Sequence, residues 1–179
     1  MRDRTEIIRQ EIRFKPALML ILGLLSIAAM ARAETATTEN FYVEAAAQEG
    51  VPRDLLIAIA GAESDFHPWA LNIKGREIYC RSEQEAERLL ATVDDVDIGL
   101  MQINWPLWGR RFGLSKTQLL DPRTNLIYGA RILKEDLTRD GDIWWRISDY
   151  HAGSVQRRDR YNKSVYEHYL SYLRGLPER

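Results

Sequence analysis

Residues 55–64, Leu-Leu-Ile-Ala-Ile-Ala-Gly-Ala-Glu-Ser, constrain this chain more than any other stretch. From Leu55 to Ala62 no side chain is polar, so a helix built here is apolar on nearly every side and belongs inside a core. Val51-Pro52-Arg53-Asp54 precedes it, and Pro52 suits a helix start, where its missing N–H breaks no bond. Glu63 comes four residues after Ile59 and seven after Leu56, on the same inward face. Burial there removes water from the carboxyl and raises its pKa. Since most glutamates are exposed, Glu63 is either an ordinary helix-terminal charge or a group held dry for chemistry.

The N-terminus is an address rather than part of the fold. Arg2, Arg4, Arg9, Arg13 and Lys15 lead into the run Ala17–Ala29, and Ala31-Arg32-Ala33 follows with small side chains at both positions a signal peptidase reads. About fifteen apolar residues rise only ~22 Å as a helix, short of the ~30 Å hydrocarbon core. Residues 1–33 are therefore read as a cleaved secretory signal and 34–179 as one domain, with no stable membrane span after cleavage and a periplasmic destination. Six of the 25 Lys+Arg and three of the 26 Asp+Glu lie before residue 34, so the whole-chain net charge of −1 becomes −4 for the remainder. The near-zero charge of the whole chain argues against a general nucleic-acid binder, which needs a basic surplus. The single cysteine, Cys80, excludes a disulfide-knit scaffold, so stability must come from packing.

The rest of the pattern is mostly helical. Helices are expected over 40–50, 55–64, 83–92, 119–137, 143–150 and 161–173. Ser82 with Glu85 forms a capping-box pattern, Asp121-Pro122 opens the fourth, and Tyr161, Val165, Tyr169 and Leu173 make one stripe of the last. Residues 65–80, with Pro68, Asn72 and Gly75, read as irregular with short strands. Asp94, Asp95 and Asp97 read as a turn, since Asp favours such positions by bonding its own backbone. Of Trp144 and Trp145, one is expected to pack inside.

Four blocks stand in order: Glu63-Ser64-Asp65-Phe66-His67-Pro68-Trp69-Ala70, Gly99-Leu100-Met101-Gln102-Ile103-Asn104, Asp121-Pro122-Arg123-Thr124-Asn125-Leu126-Ile127-Tyr128-Gly129 and Tyr150-His151-Ala152-Gly153. The series resembles the family 1 lytic transglycosylases, the soluble lytic transglycosylase domain with a goose-lysozyme-like fold, and within it the small conjugation- and secretion-associated members. The resemblance implies a mainly α (α+β) fold, a lysozyme-like single domain with a small irregular or β excursion near the cleft. It implies Glu63 as the catalytic acid and base, with Ser64, Met101, Gln102, Trp105, Tyr150 and His151 on the substrate side. Taken alone, Met101 is a gap-filling core residue and Asn104 a loop-stabilising amide. Trp105 and Trp108 are equally suited to a groove or to packing.

The chemistry fits one carboxyl group. Cleaving a β-1,4 glycosidic bond needs a proton for the leaving oxygen as oxocarbenium character develops, and an apolar pocket keeps a Glu protonated near neutrality. In the family resembled, the substrate's N-acetyl group assists and the same Glu then deprotonates the muramyl 6-hydroxyl, which closes a 1,6-anhydro ring. No cofactor is required, and His67, His151 and His168 lie in no metal-ligand spacing. The partners implied are peptidoglycan glycan strands and a secretion, pilus or conjugation apparatus. For a water-consuming alternative, Asp95 and Asp97 are the nearest second carboxylates. Two other functions compete: a wall peptidase using Cys80 with His67 or His151, and a non-catalytic murein-binding assembly module.

Two departures from the family pattern stand out. His151 replaces the Asn that follows the tyrosine, and Arg123 stands where related members carry one of a cysteine pair. Asn72 to Val96 looks like an insertion near the cleft rim, and Arg157, Arg158 and Arg160 crowd around Asp159 as a basic knot.

Overall fold

The computed structural model describes residues 38–149 and 155–175. The expected signal segment, Tyr150 and His151 lie outside the described residues. The chain divides into Met1–Glu39 and a compact unit Asn40–Arg179, and all elements below, save the first two residues of α1, belong to the second. Among the described residues, no helix is long and apolar enough to cross a membrane.

Helix α1 spans 38–49 and stops at Gly50, whose φ of 72° is the left-handed value a helix end requires. Helix α2, Arg53–Ser64, starts after Pro52 and buries every residue from Leu55 to Gly61, as its composition demands. It ends abruptly: Asp65 and Phe66 take φ of 51° and 62°, and the Asp65 N–H returns to Gly61 O at 3.0 Å. Two successive left-handed non-glycine residues are uncommon and sharply redirect the chain after Glu63.

The excursion that follows is more regular than the sequence suggested. Strands β1 (Ala70–Ile73), β2 (Arg76–Tyr79), β3 (Val96–Ile98) and β4 (Ile103–Asn104) form an antiparallel sheet in the order β2-β1-β3-β4. Lys74-Gly75 closes the first hairpin, both with positive φ, the geometry a two-residue hairpin favours. Asp97 is therefore a strand residue, which corrects the turn reading, while Asp94 and Asp95 sit in the bend before it. Helix α3, Glu83–Leu90, has the expected cap: Ser82 Oγ accepts the Glu85 N–H at 3.3 Å, and Glu85 Oε2 accepts the Arg81 N–H at 2.8 Å.

A π-helical turn, Trp105–Gly109, follows β4, and a short 3-10 turn, Gln118–Leu120, precedes helix α4, Pro122–Leu137. Leu119 and Leu120 thus lie before the helix rather than in it. Asp121 caps α4, its carboxylate accepting the Thr124 N–H at 2.8 Å. Helix α5 is Ile143–Asp149 and α6 is Val155–Leu173, so the last helix starts six residues earlier than its apolar stripe indicated. The basic knot therefore lies within α6. Trp144 and Trp145 are both exposed, against the expectation that one would be inside.

Several residues of the sequence blocks are structural. Helix α6 packs against α2 at Gly61, where a Cβ would come within 2.6 Å of His168 Nδ1 and Phe66 Cζ. At Gly129 of α4 a Cβ would meet Met101 Cγ at 2.5 Å, and at Gly99 (φ 80°) one would meet Asn125 Nδ2 at 2.4 Å. Asn125, fully buried, accepts the Met101 N–H at 2.8 Å and donates to Ile98 O and Leu119 O at 2.8 and 2.9 Å. One amide thus pins the Gly99–Gln102 turn onto α4. Asn125→Ala leaves three buried backbone groups without partners and is expected to destabilise the protein by about 3 kcal/mol or more, read as a lower denaturant midpoint at unchanged slope.

Candidate functional site

A cleft of about 480 Å³ opens between the sheet and α4, with Glu63 and Gln102 on its lining. Glu63 occupies the last turn of α2. Its Oε1 is sealed from solvent, yet the residue keeps an opening onto the cleft. Loss of hydration pushes its pKa up to about 8 from an ordinary 4.5. The nearby Tyr161 hydroxyl, on the buried stripe of α6, works against that rise, and the negative charge of Asp97 adds to it. The balance leaves a carboxylic acid that still carries its proton at neutral pH, the state a general acid requires. Tyr161 was read from sequence only as part of an apolar stripe, but a buried phenol needs a polar partner, and that requirement was the available signal.

The sheet supplies one wall through its register. Glu77 is opposite Asn72, Asn72 opposite Asp97, and Asp97 opposite Asn104, so one row crosses all four strands on one face. All four side chains line the cleft as alternating carboxylates and carboxamides. Asn104 Nδ2 donates to Asp97 Oδ1 at 2.8 Å, and Asn104 Oδ1 accepts the Leu107 N–H at 3.0 Å, the loop-bracing role expected of it. The row went unread in the sequence because the strands are two to four residues long. Their pairing joins positions far apart in the chain.

Gln102 sits at φ 42°, a backbone conformation that only a well-determined site sustains in a non-glycine residue. Its Nε2 donates to Ala70 O at 3.1 Å and Gly99 O at 2.9 Å. Both amide hydrogens are thereby engaged, and the reversed amide would set two carbonyl oxygens against a third oxygen. Gln102 therefore offers the cleft an acceptor, Oε1, suited to a hydroxyl or an acetamido N–H.

The remaining candidates divide. Ser64 is almost wholly buried, its Oγ within hydrogen-bond distance of Ala60 O (3.1 Å) and Leu100 O (2.9 Å), so it ties α2 to the Gly99–Gln102 turn instead of facing a ligand. Met101 is fully buried against Gly129. Trp105 donates from Nε1 to Leu114 O at 3.1 Å beneath Arg110 and Lys116, whereas Trp108, stacked on Phe112, is the tryptophan that lines the cleft. His67, whose pKa is lowered by burial, accepts the Trp69 N–H at Nδ1 and packs on Trp69 and Tyr79. The Cys80 thiol is fully buried, and its pKa is raised by desolvation and, to a smaller extent, by Glu85.

The titration of Glu63 has a measurable sign. The folded state holds this proton more tightly than the unfolded chain, whose carboxyl titrates at 4.5. The resulting stability is complete below that value and is lost as pH rises through about 8. In denaturant titrations, wild type should therefore weaken relative to Glu63→Gln steadily between about pH 5 and 8; parallel curves would contradict a buried acid.

A family model described as Transglycosylase SLT domain matches residues 40–172. The invasion protein IagB of Salmonella typhimurium strain SL1344 is 33% identical over 117 residues, covering 59% of this chain and 72% of its own length. Protein IpgF of Shigella sonnei is 28% identical over 127 residues, covering 67% and 72%. No solved structure matches the chain. The cleft built around Glu63, the turn pinned by Asn125 and this match across most of the described residues lead to one conclusion: the chain belongs to the transglycosylase SLT domain family, the lytic transglycosylases that cleave the glycan of peptidoglycan.

Proposed function

We propose that the cleft cuts the β-1,4 bond between N-acetylmuramic acid and N-acetylglucosamine and releases a 1,6-anhydromuramyl end. The observation that carries this reading is Glu63, with a pKa of about 8 on the lining of a cleft where an acceptor also waits at Gln102. Glu63 gives its proton to the glycosidic oxygen as the bond to C1 breaks, while the substrate's own acetamido oxygen supports the positive centre. The glucosamine end leaves as an alcohol. The Glu63 carboxylate then takes the proton of the muramyl 6-hydroxyl, whose oxygen bonds C1 and closes the second ring. The acid is restored, and no water is consumed. By the same reading Tyr150 and His151 flank the bond being cut, and residues 1–33 direct export to the periplasm. The name invasion protein, carried by a relative, supports local wall opening for a secretion, pilus or conjugation apparatus.

Asp97 supports a second reading. It lines the cleft and acts electrostatically on Glu63, so it is placed to stabilise the oxocarbenium centre or activate water, as a hydrolase requires. A wall peptidase has less support, because the Cys80 thiol is sealed in the core.

Mass spectrometry of sacculi digested by the purified protein separates these readings. Anhydromuropeptides, one water lighter than hydrolysed products, are the expected result, and products carrying that water would make the enzyme a hydrolase. Glu63→Gln should lower release by about a hundredfold or more, the scale of a lost general acid. Asp97→Asn should preserve the anhydro product and move the alkaline limb of the pH–rate profile to lower pH, because removing that charge lets Glu63 ionise sooner.

A further inference from the structure

Five of the eight large apolar side chains exposed among the described residues fall on α5 and α6: Ile143, Trp144, Trp145, Tyr166 and Leu173. A concentration of this kind on an otherwise ordinary surface marks a binding site more often than chance. Trp144 meets Tyr166 edge-on, ring centres 5.7 Å apart, and with Asn162 and Lys163 they line a shallow cavity of about 390 Å³. Beside it the Arg158 guanidinium lies 4.7 Å from the centre of the Trp145 ring. This shelf shares no lining residue with the cleft.

The charge around the shelf is segregated. Arg157, Arg158, Arg160 and Lys163 outnumber Asp159 in the first half of α6, with Glu167 pairing Lys163 at 3.7 Å, although the chain beyond residue 33 is net acidic.

We propose that this shelf is a second, non-catalytic binding surface for an anionic glycan, namely a peptidoglycan strand held away from the cleft. The exposed Trp144 indole, braced edge-on by Tyr166, presents a flat apolar face to the C–H face of a pyranose ring. The carboxylates of the peptide stems meet the basic half of α6, and that attraction weakens with added salt. The cavity has the size of a small-ligand site. The choice of polymer rests on the proposed function; the existence of the shelf does not.

The full chain with Trp144→Ala, and separately with Lys163→Glu, tests this in two assays. Lys163 is largely exposed, so its variant remains informative if loss of the indole harms folding. In sedimentation with purified sacculi, Trp144→Ala should lose about tenfold in affinity, the scale of one stacking contact. Lys163→Glu should lose severalfold and bind with a shallower salt dependence. Turnover of a soluble disaccharide-peptide dimer, short enough to occupy the cleft alone, should be unchanged in both. Sacculus binding unaltered in both variants overturns the proposal, including the case where the patch proves to serve a protein partner or a second copy of the chain. If wild type releases no product while binding still depends on Trp144, the shelf stands and the catalytic reading falls.

Discussion

Everything in this molecule is arranged around keeping one carboxyl group out of water. Helix α2 has no solvent-facing side from Leu55 to Gly61, so its last turn carries Glu63 inward whatever the rest of the chain does. Hydration is the largest influence on that group's proton, and removing it outweighs the opposing influence of the Tyr161 hydroxyl. The cost is borne by an apolar helix clamped by α6, which approaches closely enough that Gly61 has no room for a methyl group. Acidity and core packing are therefore one construction: the same side chains that bury α2 set the proton affinity of Glu63 in its last turn.

A second tier of residues holds the opposite side of the cleft. Asn125 joins β3, the Gly99–Gln102 turn and the segment before α4 through three hydrogen bonds, and Gly99 and Gly129 are small because Asn125 and Met101 press against them. Ser64 links this turn back to α2 through Leu100 O. The result fixes Gln102 in a left-handed backbone conformation with its amide oriented so that only an acceptor is offered. Residues that form a recognisable motif in the sequence thus divide into one that presents chemistry and several that hold it still.

This division also explains what was legible in the sequence. The buried helix, the Ser82 and Asp121 caps, and the carboxyl at the end of α2 follow from local rules, and those rules predicted them. The roles of Ser64 and Met101 were not local: both face the interior, and only the approach of a distant turn shows it. Asp97 was misread because three aspartates in four positions look like a turn, whereas pairing with Asn72 and Asn104 makes the last of them a strand residue. Trp144 and Trp145 were misjudged for a related reason: aromatic size favours burial on average, but a short helix with few apolar companions leaves both outside.

The polar row across the sheet carries a constraint on how such a cleft can vary. Glu77, Asn72, Asp97 and Asn104 face the same way only because each strand keeps its alignment with the next. A one-residue slip anywhere in that pairing would turn the displaced strand's polar side chain toward the hydrophobic interior and bring an apolar neighbour into the groove. The segment joining β2 to β3 is free to lengthen, since α3 and the acidic bend lie outside the ladder. Diversification of this wall of the cleft is therefore expected through exchanges of side chain within the row and growth of the connecting loop, with strand alignment left untouched.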